Sequence, residues 1–214
     1  MPLGEQLVSN ELGLQKNGAG APAEMLVSKA DLHLRMGEMA AALTAEYQDL
    51  TQPLLMVSVL KGSSFFLADL MRRLHFDVAV DFMSISAYSE GEQSGVVRIV
   101  KDLDTDVTDR DVLIVEDIVD TGLTLNYLRT ALAQRAPRSL KAVTLLDKLA
   151  RRIVPVELEY SCFEVPDVFV IGYGLDFQGL YRNVPEILAV RDLARLLNDP
   201  RLLVGSLFTD SGSG

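Results

Sequence analysis

The sequence predicts an α/β fold in which a mostly parallel sheet is covered by helices on both faces. Three observations carry this. Short, almost wholly apolar runs such as Leu54–Leu60 (LLMVSVL) and Val112–Val115 fit strands buried on both sides. Stretches with helical spacing separate these runs, and strands alternating with helices favour parallel pairing. The chain has 214 residues, 49% of them hydrophobic, enough for the core of one domain.

Along the chain, residues 1–24 carry Gly18-Ala19-Gly20-Ala21-Pro22 without periodicity and are expected to be a disordered extension. Residues 25–205 form the expected domain, and 206–214, with Asp210-Ser211-Gly212-Ser213-Gly214, a flexible tail. The first helix should start at Ser28, whose side chain can cap free backbone N–H groups. Leu32, Met36, Met39, Ala40 and Leu43 would form its buried face. A strand over Leu54–Leu60 leads to a helix through Phe65, Phe66, Ala68, Leu70 and Leu74. Strands follow at Val78–Ile85 and Val96–Val100, joined by a Gly- and Ser-rich loop. Val112–Val115 is the next buried strand, with a helix over Leu123–Leu132. Leu140–Leu146 is one more strand, and Val168–Ile171 the expected last strand of the core.

Charge and composition exclude several classes. A net charge of −10 opposes general binding of nucleic acid, which needs cations to neutralise phosphates. No apolar run is long enough for a membrane span, and the first residues lack the pattern of a secretory signal. A single cysteine, Cys162, fits a reducing compartment, so a cytoplasmic location is expected, with Cys162 as a small buried apolar residue.

The acidic residues crowd into Lys101–Asp120 (KDLDTDVTDRDVLIVEDIVD). Beside a phosphate they would repel it, and divalent cations would resolve the repulsion. Val112–Val115 delivers the chain to Glu116-Asp117, then to Asp120-Thr121-Gly122-Leu123-Thr124. Adjacent carboxylates on a strand point to opposite faces. Small residues and hydroxyls opening a helix let backbone N–H groups meet an anion, and the helix dipole favours negative charge. Acids next to such a cradle make sense if they hold sugar hydroxyls or a bridging Mg2+, an ion that keeps waters and touches phosphates. Taken alone, the same residues also fit a strand with a solvated acidic end and a Thr-capped helix.

The full stretch Val112–Thr124, VLIVEDIVDTGLT, resembles the signature of type I phosphoribosyltransferases, and from about Met25 to Asp192 the chain is similar to their hypoxanthine-guanine branch. The resemblance implies the fold of that family, with a small hood region and a mobile lid loop. It implies transfer of ribose 5-phosphate from phosphoribosyl pyrophosphate (PRPP) to N9 of hypoxanthine or guanine. Glu116 and Asp117 would hold the ribose hydroxyls, and Asp120, Thr121, Gly122, Leu123 and Thr124 the 5′-phosphate. Asp120 would also be the general base.

Further matches imply pyrophosphate binding by Lys61, Gly62 and Arg182. In the family the peptide between the Lys and Gly positions is often cis. Lys148 would donate to the purine 6-oxo group, Phe169 would stack on the base, and Val170 would read the 2-substituent through its backbone. Asp176, with Glu116 and Asp117, would associate with Mg2+. Segment 86–95 resembles the lid, but Ala87-Tyr88 stands where the family usually has Ser-Tyr. His33 and His75 lie far from every motif and are read as structural or solvated. The alternatives are a xanthine-preferring enzyme and a regulatory protein that senses PRPP. A homodimer or homotetramer, with no nucleic-acid or membrane partner, is the implied state.

Overall fold

The computed structural model describes residues 22–88 and 96–208. Its main body is a six-stranded sheet in the order β4-β3-β2-β5-β6-β7. These strands are β2 (Leu54–Leu60), β3 (Val78–Tyr88), β4 (Val96–Lys101), β5 (Asp111–Val119), β6 (Ser139–Asp147) and β7 (Tyr160–Glu164). All neighbours pair in parallel except β3 and β4.

Helix α1 (Lys29–Tyr47) starts as expected: the Ser28 side chain accepts from the Asp31 N–H, and Leu32, Met36, Met39, Ala40 and Leu43 are buried. With α2 (Ser63–Met71) it covers one face of the sheet, closing a core that includes Met56, Phe66, Leu70, Leu113 and Val143. Helix α3 (Leu123–Ala133) covers the other, where Leu125, Leu128 and Leu132 meet Leu55, Val57, Val112 and Ile114. The apolar run of β2 is thus explained: from Leu54 to Val57 successive side chains enter different cores, so all four are buried.

A second sheet, three-stranded and antiparallel, has the order β1-β9-β8, formed by β1 (Ala23–Val27), β8 (Phe169–Ile171) and β9 (Ile187–Val190). It corresponds to the expected hood. The short helices α4 (Leu193–Asn198) and α5 (Val204–Phe208) follow it, and Leu196 and Leu203 join a third core with Ile171, Phe177 and Val190.

Several expectations are corrected. Val168–Ile171 is not the last strand of the main sheet: β8 belongs to the hood, and β7 holds the edge beside β6. Strand β1 begins at Ala23, inside the segment read as an extension, because the backbone there pairs with β9. Helix α5 likewise reaches Phe208, inside the expected tail. The cis peptide lies between Leu60 and Lys61, one bond before the Lys61–Gly62 position. Residues 1–21 and 209–214 lie outside the described residues, as does 89–95 of the expected lid.

Candidate active site

The chain leaves β2 toward β3 on one side, while β5 lies on the other. The strand order therefore reverses between β2 and β5, and in such sheets ligands bind beyond the carboxyl ends at that point. The turn after β2 and the segment after β5 open into one cavity of about 320 Å³. Lys61, Gly62, Glu116, Asp117, Asp120, Thr121, Gly122 and Thr124 line it. Leu123 does not; it is 39% exposed, and only its backbone belongs to the turn.

Gly122 takes φ +83° at the start of α3, a left-handed conformation that glycine adopts without a side-chain clash. A Cβ there would also lie 2.7 Å from the Val154 carbonyl oxygen. The Ile153 and Val154 N–H groups both donate to the Thr121 carbonyl, so this neighbouring loop buttresses the cradle. Strand β5 runs on to Val119, longer than the apolar run alone suggests, and carries Glu116 and Asp117 within the sheet rather than at a solvated end.

That position fixes their electrostatics. Burial, with the charge of Asp117 adding, pushes Glu116 well above the usual carboxylate range. Its Oε1 is buried without a hydrogen-bond partner. Burial also lifts Asp117 to about 6, against the Ile118 N–H and the Arg182 charge, which lower it. Asp117 therefore ionises near 3.8 in the unfolded chain and near 6 in the folded one. Between these values the folded state holds more protons, so stability falls as pH rises through that window. Asp117→Asn is expected to raise Tm at pH 8 by about 3–6 °C and much less at pH 4. Thermal melts at both pH values check this, and an equal change at each would contradict the desolvation argument.

A second cavity, about 510 Å³, shares Asp117, Ile118 and Asp120 with the first. Lys148, Arg151, Asp167, Val168, Phe169, Val170, Leu175, Asp176 and Leu193 complete it. Lys148 is 5% exposed, unlike an ordinary strand-end lysine. Its Nζ lies 3.8 Å from Asp120 Oδ2, and Arg151 Nε lies 3.5 Å from Asp120 Oδ1. Phe169 meets Phe177 edge-on at 5.8 Å, which sets its ring plane.

Two glycines lock the cavities together. A Cβ on Gly62 would lie 1.7 Å from Asp117 Oδ2, and one on Gly174 would lie 2.4 Å from the Gly62 carbonyl oxygen. The turn after β2 thus packs backbone to backbone on the loop after β8.

Not every expected residue reaches the cavities. Arg182 donates to the Gly174 carbonyl at 2.5 Å and pairs with Asp176 at 2.6 Å, and it lines a separate cavity beside Lys29 and His33. Among the described residues no three His, Cys, Asp or Glu side chains form a metal cage, so Glu116, Asp117 and Asp176 do not close on one ion by themselves. Ala87 and Tyr88 end β3, paired with β4. The acidic run is mostly structural: Asp102 binds Arg135, Asp111 binds Arg138 and Ser139, and Asp106 caps Thr108. Of its acids, Glu116, Asp117 and Asp120 line the first cavity. Cys162 is buried, as expected, with its thiol pushed up to about 12, and His33 is exposed beside Arg73. Ile118, Arg151, Asp167 and Leu193, which also line the cavities, were given no role from the sequence. Gly174 stands in the segment Phe169–Asp176 that carries the family match, without a role of its own.

A phosphoribosyl transferase domain matches residues 31–178. The chain belongs to the phosphoribosyltransferase family. This phosphoribosyltransferase is 47% identical over 165 residues to a hypoxanthine-guanine phosphoribosyltransferase of Bacillus subtilis, covering 77% of this chain and 91% of the relative. It is 44% identical, with the same coverage, to one from Staphylococcus aureus. The crystal structure of a hypoxanthine phosphoribosyltransferase from Staphylococcus aureus superposes with TM-score 0.75 at 42% identity, covering 80% of this chain and 92% of that one. No helix among the described residues is long and apolar enough to cross a membrane.

Proposed function

We propose that this phosphoribosyltransferase transfers the 5-phosphoribosyl group from PRPP to N9 of hypoxanthine or guanine, releasing pyrophosphate and giving IMP or GMP in purine salvage. The observation that carries this reading is the pair of cavities meeting at Asp117, Ile118 and Asp120. One has the cradle for a sugar phosphate, and the other has a buried lysine and an aromatic ring for a 6-oxopurine. The names of the relatives support the same substrates.

In this reading the ribose lies along Glu116 and Asp117, and the backbone and hydroxyls of Thr121–Thr124 hold the 5′-phosphate. The C1–O bond to pyrophosphate breaks as the N9–C1 bond forms. Asp120 takes the proton from N7 of the purine. Lys148 donates to O6. Phe169 stacks on the base, and the backbone of Val170 meets its 2-position. The pyrophosphate leaves near Lys61 and Gly62, with Arg182, paired with Asp176, as a further cation for it. The lid, with Ala87 and Tyr88 at its base, excludes water.

The residues present fit Mg2+. Glu116 keeps a buried oxygen without a partner, and Asp117 and Asp176 interact electrostatically. An octahedral ion needs only one or two carboxylates when substrate oxygens and waters supply the rest, which suits the lack of a closed cage. When bound, the ion would offset charge on the leaving pyrophosphate. The described residues, from β1 to α5, act as one catalytic domain, in a homo-oligomer that resides in the cytoplasm. A coupled assay with PRPP, Mg2+ and each of hypoxanthine, guanine, xanthine and adenine tests the reading. Nucleotide formed from hypoxanthine and guanine is the expected result. A preference for xanthine would reassign the base, and no product from any base would favour a PRPP sensor.

A further inference from the structure

We infer that Leu193, the first residue of α4, is a specificity-determining wall of the base cavity, held in place through Tyr181 of the hood. The inference rests on the purine reading of that cavity.

Leu193 lines the same cavity as Lys148 and Phe169. Its position is fixed from two directions. At the start of α4, the Asp192 carboxylate accepts from the Arg195 N–H at 2.9 Å, and the Asp192 carbonyl accepts from Leu196. Beneath it, Leu196 is 0% exposed and packs in the third core with Ile171, Phe177 and Leu203.

Tyr181 closes this arrangement. Its ring is buried in the same core. Its hydroxyl donates to the Pro200 carbonyl at 2.6 Å and accepts from the Leu203 N–H at 3.3 Å. The linker between α4 and α5 is therefore held by one side chain of the hood. Phe177 sits in that core too and sets the ring of Phe169 edge-on. One packed layer thus positions both the aromatic floor and the aliphatic wall of the cavity. Tyr181, Leu193, Pro200 and Leu203 all lie beyond residue 178, where the matched domain ends.

An apolar wall acts on the base and not on the sugar phosphate, so its loss should move one KM and leave the other. Steady-state kinetics on the full chain test this. Leu193→Ala is expected to raise KM for hypoxanthine about five- to tenfold, with KM for PRPP and kcat within about twofold. Leu193→Met should restore the hypoxanthine KM. Tyr181→Phe, which removes both hydrogen bonds and keeps the ring, should shift the hypoxanthine KM in the same direction. An unchanged hypoxanthine KM in Leu193→Ala, or an equal rise in both KM values, overturns the inference. A wild-type chain inactive on every base would overturn the purine reading with it, whereas an active wild type with an unmoved base KM overturns only the role of Leu193.

Discussion

Asp120→Asn is expected to lower kcat by about 10²–10⁴ while nucleotide affinity changes little. Asp120 is one of the few residues lining both cavities, so it lies where the new glycosidic bond must form. Its two oxygens are approached by different cations, Lys148 on Oδ2 and Arg151 on Oδ1. Asparagine keeps the shape and one oxygen acceptor but cannot take a proton. Product binding, which needs shape and hydrogen bonds, should therefore survive while turnover falls. Single-turnover kinetics beside titration of IMP check this. Equal losses in both would mean that Asp120 only binds.

Lys148→Ala should reduce kcat/KM for hypoxanthine by about 10²-fold and erode the preference over adenine. Lys148 is buried, and its ionic contact with Asp120 is long. A buried ammonium with donors to spare gains most from a carbonyl acceptor such as O6. Against the 6-amino group of adenine, donor faces donor, and the ammonium stays unpaired. Removing the ammonium costs the 6-oxopurine its hydrogen bond and relieves the clash with adenine. The ratio of kcat/KM values for the two bases is the measurement, and an intact ratio in the variant would refute this account of base selection.

The sequence was most legible where local chemistry decides the structure. Ser28 and the spacing from Leu32 to Leu43 specify α1 because a cap and a buried face are local features. The turn at Thr121–Thr124 that opens α3 was readable for the same reason. Partner choice was not. Phe169–Ile171 is apolar enough for either sheet, and only its pairing with β9 puts it in the hood. Tyr160–Glu164 mixes polar and apolar residues, so its place at the sheet edge is hidden. The end of β5 was underestimated because two carboxylates look like a solvated terminus, yet Glu116 is among the buried residues. Local charge also misled about the acidic run, whose arginine partners Arg135 and Arg138 follow one helix later. The role of Arg151 depends on a short turn after β6, which no periodicity announces.

The contact between Gly62 and Gly174 has a thermodynamic meaning as well as a steric one. It joins the turn that would meet pyrophosphate to the loop that would meet the base, with no compressible side chain between. A displacement on one side must be felt on the other. Linkage then requires reciprocity: if pyrophosphate strengthens the binding of a purine analogue by some factor, the analogue must strengthen pyrophosphate by the same factor. Two filled subsites would behave as a single cooperative unit.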